Sequence, residues 1–331
     1  MKIKNLIIAI VILTSFSKMK AQDVHLSMYD AAPLFLNPAL TGLFDGEWRL
    51  HGQYRTQWSA VNFKPYNTSL ISFDKPYKKW GFGAQISNLS AGIGNYNVLQ
   101  GLVSASYSVP LDFAKTHNIS MGIQGGVTQK FVEHQLHSFD NQYTTLNGGS
   151  FNTDLTTGED FNTQRFYLPT LNAGVLYYHA KQQSFLNPFI GASVFNLIKS
   201  KETFFNEENS TQNRYFIHLG TRVNLTELFY VLPKMLIMNQ GNFNEQTYAA
   251  DVGYYLKGAD LHLLGGFLYR NADAFIVSLG AKKNNITGKV SYDINSSSLN
   301  SASTGRGAFE ISITYIKNNK KNKDARTCPR L

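Results

Sequence analysis

Apolar and polar residues alternate strictly near the carboxyl end of the chain, and this alternation constrains the fold more than any other feature of the sequence. Within residues 306–316, large apolar side chains occupy every second position and polar side chains lie between them: Phe309, Ile311, Ile313 and Tyr315 against Glu310, Ser312 and Thr314. A period of two places the two sets on opposite faces of a β-strand. The segment is also as long as a tilted strand that crosses a bilayer.

Segments of this kind recur along the chain, and the sequence predicts fourteen of them. They are residues 47–58, 66–74, 80–89, 97–109, 117–132, 165–178, 186–197, 213–224, 229–239, 246–256, 261–271, 274–283, 286–294 and 306–316. The segment 229–239 fits least well, because Pro233 cannot donate a hydrogen bond to a neighbouring strand. An even number brings both ends of a barrel to one side of the membrane, here the periplasm. We predict an all-β fold: a single transmembrane antiparallel β-barrel over residues 47–316.

The connections between these strands differ in length on the two sides of the predicted barrel. The long connections (residues 133–164, 198–212 and 295–305) are all odd-numbered from the amino terminus, whereas the even-numbered connections are short. Short periplasmic turns and long surface loops are typical of outer-membrane barrels. A secreted soluble β-sandwich is the alternative for an all-β chain, but it gives no reason for this sorting. The connection lengths therefore favour a membrane barrel.

The composition agrees with strands that face lipid on alternate residues only. Charged residues make up 16% of the chain, against about a quarter in soluble domains. The mean hydropathy of −0.22 is compatible with a barrel, because every second strand residue faces away from lipid. The net charge of +9 is concentrated in residues 1–21 and 317–331. The body of the fold therefore lacks the basic stripe that a nucleic-acid-binding protein needs.

Both ends of the chain lie outside the predicted strands. Residues 1–21 have the pattern of a signal peptide, with cleavage predicted between Ala21 and Gln22; an uncleaved membrane anchor is the alternative. Residues 22–46 are predicted to form an ordered segment on the periplasmic side or within the barrel mouth. Residues 317–331 form a basic periplasmic tail that either contacts a partner or phospholipid headgroups or stays solvated. Its candidate contact residues are Lys317, Lys320, Lys321, Lys323, Arg326 and Arg330.

Motifs of known catalytic or cofactor sites are absent from the sequence, including a nucleophile elbow, a phosphate-binding glycine loop and a dinucleotide fingerprint. His134 and His137 lie close together but have no third ligand at a matching spacing, so a plain surface loop is the preferred interpretation. His218, Arg222 and Asp251 fall on polar strand faces and are candidates to line a permeation path. A hydrogen-bonded network in the lumen is favoured for them instead. We predict no enzymatic activity, no cofactor and no metal.

Several short phrases of the sequence occur together in one known family. They are residues 37–42 (NPALTG), 48–49 (WR), 53–58 (QYRTQW), 73–76 (FDKP), 80–84 (WGFGA), 291–293 (SYD), 301–312 (SASTGRGAFEIS) and 328–331 (CPRL). In these phrases the chain resembles the PorP/SprF family of Bacteroidota outer-membrane proteins, which is tied to type IX secretion and gliding. The resemblance spans the chain from residue 37 to its end.

The resemblance implies a barrel of about fourteen strands that works by binding partners and has no enzymatic activity. The implied partners are outer-membrane lipid, periplasmic and lipoprotein components of type IX secretion, and a large secreted cargo protein such as an adhesin. The barrel would help this cargo to be exported or to stay at the surface. Two roles stay open within the family, a core secretion subunit and a cargo-specific accessory protein. An outer-membrane solute channel is the alternative function.

Overall fold

Fourteen strands pair in sequence order around a closed barrel. A computed structural model of the chain describes residues 25–58, 64–92, 94–133, 137–145, 149–159, 163–181, 184–204, 209–297 and 305–318. Its strands are β1 (Trp48–Gln57), β2 (Tyr66–Tyr77), β3 (Trp80–Ala91), β4 (Tyr96–Pro110), β5 (His117–Phe131), β6 (Tyr143–Thr144), β7 (Ser150–Phe151), β8 (Arg165–His179), β9 (Leu186–Phe195), β10 (Arg214–Asn224), β11 (Phe229–Gln240), β12 (Phe243–Leu256), β13 (Leu261–Arg270), β14 (Ala274–Lys283), β15 (Ile286–Asn295) and β16 (Arg306–Lys317). The two-residue strands β6 and β7 form a separate hairpin, and all the others belong to the barrel.

The barrel closes where the first strand pairs with the last. β1 and β16 run antiparallel with Trp48 opposite Lys317 and Gln57 opposite Ala308. Every backbone N–H and C=O within hydrocarbon needs a partner, and closure removes the two unpaired edges that an open sheet would leave there. The predicted all-β fold with a single fourteen-stranded barrel is confirmed. Among the described residues, no helix is both long and apolar enough to cross a bilayer.

The two ends of the barrel differ in their connections. At one end lie Trp48, Lys317 and six short connections, such as those at residues 78–79 and 284–285; we call this the short-turn end. The opposite end carries the long connections 132–164, 196–213 and 296–305, and we call it the long-loop end. The location of each end relative to the membrane stays a prediction. Lys317, which was assigned to the tail, belongs to β16 and forms an ion pair with Glu47 at 3.1 Å.

Polar side chains point into the barrel and apolar side chains point out of it. On β1 the inward side chains are buried although they are polar: Arg49, His51, Gln53 and Arg55. On its outer face, Leu50 is 45% exposed and Tyr54 is 41% exposed. Val103 on β4 is 66% exposed in the same direction. A belt of exposed apolar side chains around a closed sheet is the surface that a barrel presents to lipid.

The lumen is not equally polar around its whole circumference. Along β1 to β5 the inward side chains are mostly polar, as on β1, but from β8 to β14 many are large and apolar. Leu176, Phe189, Leu232, Leu268 and Ile276 are all buried in one hydrophobic cluster that faces the lumen. These strands therefore have apolar residues on both faces, which weakens the alternation in their sequence. The apolar side of the lumen needs something to pack against.

Residues 25–46 supply that partner, because they run through the lumen. We call this segment the plug. It contains the short helix α1 (Pro33–Leu36) between the 3₁₀ turns Tyr29–Ala31 and Pro38–Leu40. Pro33 and Pro38 occupy first helical positions, where a missing N–H costs nothing. Leu36, Leu40 and Leu43 of the plug belong to the apolar cluster of the wall.

Most predicted strand bounds agree with the structure to within three residues. β11 forms although Pro233 lies inside it, and its pairing with β12 is continuous. Its pairing with β10 is interrupted at this proline, between Gly220–Lys234 and Val223–Val231. The missing donor is therefore accommodated by a local break in one ladder. The signal peptide with its cleavage site at Ala21 and Gln22, and the tail beyond residue 318, lie outside the described residues.

A charge on the outer face should be costly at the middle of the barrel. We expect Val103→Lys to lower the free energy of unfolding from lipid vesicles by about 2–4 kcal/mol, because the ammonium group would face hydrocarbon. Phe113→Lys is the control, since Phe113 lies fully exposed in the 111–116 turn. Urea titration followed by tryptophan fluorescence measures both. Equal effects of the two substitutions would contradict a lipid-facing position for Val103.

Candidate functional site

Side chains of the barrel wall donate hydrogen bonds to the backbone of the plug. Its short helical turns leave carbonyl groups without internal donors, and buried carbonyls need partners. The pairs, donor first, are Gln124 Nε2 to Leu34 O at 3.2 Å, Ser193 Oγ to Leu36 O at 2.8 Å, Ser120 Oγ to Ala39 O at 2.8 Å and Ser106 Oγ to Thr41 O at 2.6 Å. The small polar residues of the lumen thus fix the plug in one position.

Asn37 is fully buried and joins the plug to three neighbouring strands. Its Oδ1 accepts the Ala39 N–H at 2.9 Å and so caps the second 3₁₀ turn. Its Nδ2 lies 3.1 Å from Val175 O, 3.3 Å from Ala192 O and 3.1 Å from His218 Nε2. Since the amide donates, His218 Nε2 accepts, and the ring proton lies on Nδ1. One side chain therefore satisfies groups on β8, β9 and β10.

Two inward-facing glycines allow the plug to lie directly against the wall. A Cβ atom at Gly122 on β5 would overlap the backbone of Pro38 and Ala39. A Cβ atom at Gly174 on β8 would overlap the side-chain oxygen of Asn37. Glycine is required where two backbones approach this closely. The seat of residues 37–39 is therefore built into the strand sequence.

A buried ion-pair cluster holds the plug at mid-lumen. Lys234 Nζ lies 2.6 Å from Asp30 Oδ2 and 2.7 Å from Asp251 Oδ2. Lys289 Nζ approaches the same carboxylates at 3.8 and 3.6 Å. Burial alone raises the pKa of a carboxyl group, but Lys234 and Lys289 hold the pKa of Asp30 well below its usual range. Asp30 is therefore ionised and joins the plug to β11 and β15, while Asp251 of β12 shares the same two lysines.

A second charge cluster holds the start of the plug near the long-loop end. Glu310 accepts the backbone N–H groups of Ser27, at 2.9 Å, and of the next residue, at 2.8 Å. The Ser27 hydroxyl donates to Asp293 at 2.7 Å and accepts from Arg55 and Arg270. Arg55 also pairs with Asp293 and Glu310, each at 3.0 Å. The wall thus binds both the backbone and the hydroxyl group of Ser27.

A third contact fixes the plug near the short-turn end. Asp74 accepts the Gly42 N–H at 2.7 Å and forms a two-bond pair with Arg49, at 2.9 and 2.6 Å. Gly42 has a φ of +69°, which favours glycine over other residues. The chain then leaves the lumen and enters β1.

The plug leaves a large cavity at each end of the lumen. The long-loop cavity has a volume of about 720 Å³ and is lined mainly by amide, hydroxyl and aromatic side chains, among them Gln100, Thr128, Asn196, Gln240 and Phe243. The short-turn cavity, of about 410 Å³, is lined by Arg222, Tyr230, His262 and Lys289 among others. Phe35 lines the first cavity and Leu40 the second, so the plug forms the floor of both.

Comparison of the sequence with models of known families assigns the chain to one family. The model of the type IX secretion system membrane protein PorP/SprF matches residues 18–315. The chain belongs to the PorP/SprF family. The predicted resemblance is therefore confirmed over nearly the whole chain, and this PorP/SprF protein is a component of type IX secretion. None of the curated proteins compared with it matches.

Solved channels and transporters are similar in structure to this PorP/SprF barrel at low sequence identity. The monoaromatic hydrocarbon channel TodX, as its ΔS2S3 mutant, is 12% identical with a TM-score of 0.50, covering 87% of this chain and 94% of its own. The toluene transporter TbuX of Ralstonia pickettii is 11% identical with a TM-score of 0.49, covering 87% and 93%. A FadL homologue of Pseudomonas aeruginosa is 10% identical with a TM-score of 0.49, covering 86% and 95%. At such identities the likeness concerns the fold alone.

The predicted lumen residues of this PorP/SprF protein all face inward, but two of them hold the plug. His218 contacts Asn37, and Asp251 binds Lys234 beside Asp30. Arg222 lies in the short-turn cavity with its guanidinium carbon 3.7 Å from the centre of the Tyr230 ring. Their role in permeation stays a prediction. Of the candidate contact residues in the tail, Lys317 is described, whereas Lys320, Lys321, Lys323, Arg326 and Arg330 lie outside the described residues, as does His134.

Sequence reasoning missed the residues that seat the plug. Gln124, Ser120 and Ser193 resembled ordinary small polar residues of a lumen, and the ion-pairing partners are far apart in the chain. One available signal was the inward register of Gly122 and Gly174, because a glycine inside a strand often marks a close approach of another backbone. Among the described residues, no three His, Cys, Asp or Glu side chains are arranged to hold a metal ion.

Adding one methyl group beneath the plug should weaken its seat. We expect Gly122→Ala to lower the free energy of unfolding by about 1–3 kcal/mol, because its Cβ would overlap residues 38–39. The control is Gly101→Ala on the neighbouring strand β4, where a Cβ meets no atom within 4 Å. Urea titration and the rate of proteolysis within the plug report the two effects. Equal behaviour of both variants would contradict the close approach.

Removing the Asp30 carboxylate should destabilise the barrel at neutral pH. Since Asp30 has a lowered pKa, its stabilisation is present above the ordinary carboxyl pKa of about 4 and is lost as the pH falls towards the folded-state pKa. We expect Asp30→Asn to cost about 3 kcal/mol at pH 7, since Lys234 keeps only Asp251. The difference from the unmodified protein should shrink below pH 4. Asp45→Asn, at an exposed plug position, serves as the control in the same urea titrations.

Proposed function

We propose that this PorP/SprF barrel is a non-enzymatic outer-membrane component of type IX secretion and gliding. It binds a large secreted protein, such as an adhesin, and helps to export it or to keep it at the cell surface. The observation that carries the proposal is the family match over residues 18–315. Periplasmic and lipoprotein components of the secretion system are the expected partners at the short-turn end, and outer-membrane lipid surrounds the strands.

The long-loop cavity is the proposed contact surface for the secreted protein. Its amide side chains both donate and accept hydrogen bonds, as a polypeptide backbone does. Among its lining residues, Lys130 is paired with Glu202, and Arg214 lies 5.4, 5.1 and 5.1 Å from the ring centres of Phe35, Phe195 and Phe216. A surface with mixed hydrogen bonding and aromatic rings suits an extended polypeptide.

The plug supports partner binding over solute permeation. Residues 34, 37, 39 and 41 are at most 1% exposed in the middle of the lumen, so a solute moving between the two cavities would have to displace them. Displacement would leave the charges of Lys234 and Glu310 without their plug partners, which is costly in a buried environment. A solute channel stays the alternative function.

Cross-linked affinity purification tests the proposal. A carboxyl-terminal tag and mass spectrometry of outer membranes should recover one large secreted protein together with type IX components. Replacing residues 137–159, which contain β6 and β7, by a Gly-Ser linker should abolish recovery of the secreted protein and leave the type IX components. Replacing residues 257–260 at the short-turn end by a linker of equal length is the matched control.

Three outcomes distinguish the roles. A single secreted partner indicates a cargo-specific accessory protein, whereas periplasmic ring components without a dominant cargo indicate a core subunit. The proposal fails if neither class of protein is recovered. If in addition planar bilayers show an ion conductance that changes with Arg222→Ala or Asp251→Ala, the protein is a channel.

A further inference from the structure

The plug runs the length of the lumen in a fixed direction. Its first contact is Ser27 with Glu310, which lies opposite Arg55 in the β1–β16 ladder. Its last contact is Gly42 with Asp74, which lies opposite Arg49 in the β1–β2 ladder. Arg55 and Arg49 are six residues apart on β1, or about 20 Å of strand. The chain therefore descends from the long-loop end to the short-turn end before β1 begins.

The start of the plug lies at the rim of the long-loop end. His25 lines a cavity of about 340 Å³ together with residues of the adjoining connections: Trp58, Asn244, Asn271, Asn295 and Ser297. These residues belong to four different odd-numbered connections or lie next to them. The cavity therefore leads out of the barrel on the long-loop side.

The length of chain before His25 limits where the mature amino terminus can be. Cleavage between Ala21 and Gln22 leaves three residues ahead of His25, which reach at most about 10 Å. The return path to the short-turn end exceeds the roughly 20 Å between the levels of Arg55 and Arg49. The terminus of the cleaved chain therefore cannot return to the side on which β16 ends.

Groups of both charge signs surround His25 at this rim. Glu245 is 6% exposed, and its Oε2 has no hydrogen-bond partner among the described residues. Its Oε1 lies 3.6 Å from Arg270 Nε, and its Oε2 lies 3.8 Å from His25 Nδ1. Burial and the nearby Arg270 and Arg55 lower the pKa of His25 well below its usual value, so its ring is neutral at pH 7.

We propose that the mature chain threads its own barrel, so that its amino terminus lies at the long-loop face and its carboxyl-terminal tail at the opposite face. This topology differs from the prediction that both termini lie in the periplasm, and it does not depend on the proposed function. It adds a free chain end to the surface formed by the long loops. The barrel must also close around the plug, because the plug is continuous with β1.

Single-cysteine accessibility tests the topology. In the full chain with Cys328→Ser, Asp23→Cys reports on the terminus, Asn242→Cys marks the long-loop end and Ala259→Cys marks the short-turn end. A membrane-impermeant maleimide is applied to intact cells and then to permeabilised cells. We expect Asp23→Cys to react under the same condition as Asn242→Cys. Reaction under the condition of Ala259→Cys would overturn the proposal.

Two further measurements decide the cases in which the cysteine at residue 23 is shielded from the maleimide or the leader is not cleaved. An epitope with a flexible linker inserted between Asp23 and Val24 must emerge on one face, and antibody binding to intact cells should group it with an epitope inserted at Asn242. Grouping with an epitope at Ala259 would overturn the proposal. Amino-terminal sequencing should find Gln22 first. A retained leader would also overturn it, because the residues before His25 would then be long enough to reach back.

Discussion

The structure depends on one constraint: a backbone that crosses hydrocarbon must have all its polar groups paired. The β1–β16 ladder meets this constraint by closing the sheet. Closure also turns every second side chain of each strand towards a lumen. Fourteen strands enclose more space than the inward side chains fill. The plug, residues 25–46 of the same chain, occupies this space. Its backbone also needs hydrogen-bond partners, because its helical turns are too short to pair their own carbonyl groups.

The barrel wall holds the plug through polar and apolar contacts. On the polar side, hydroxyl and amide side chains such as Ser106 and Ser120 donate to plug carbonyls. On the apolar side, Leu36 and Leu40 pack into the cluster around Leu268, as in the core of a soluble protein. The ion pairs of Asp30 and the hydrogen bonds of Ser27 and Gly42 to wall carboxylates then fix the plug at three levels along the barrel axis. The plug is therefore a structural part of the barrel, and its removal would leave the buried charges of Lys234 and Glu310 without their plug partners.

The strands were predictable from the sequence because the period of two follows from the pleat and from the difference between lipid and lumen. The plug was not, because its contacts join residues 27 and 310, or 42 and 74, whose proximity no local pattern reveals. The strands from β8 to β14 also gave weaker alternation, since the plug makes their inner face apolar. Yet the phrases that carry the family resemblance converge on the plug. Residues 37–42 form the part of the plug nearer the short-turn end. Asp74, paired with Arg49, binds Gly42 there, whereas Arg55, Asp293 and Glu310 bind Ser27 at the other end.

This convergence bears on how a secretion component of this family works. If the phrases that carry the family resemblance served permeation, they would be expected to line a continuous path. Those that the described residues place around the plug instead hold a segment that separates two cavities. The long-loop cavity and the short-turn cavity share the plug as their floor, so Phe35 on one side and Leu40 on the other belong to one rigid segment. A protein bound in one cavity would contact the same segment as a partner bound in the other. The plug thus connects the two cavities through one segment of chain, while its buried residues separate them.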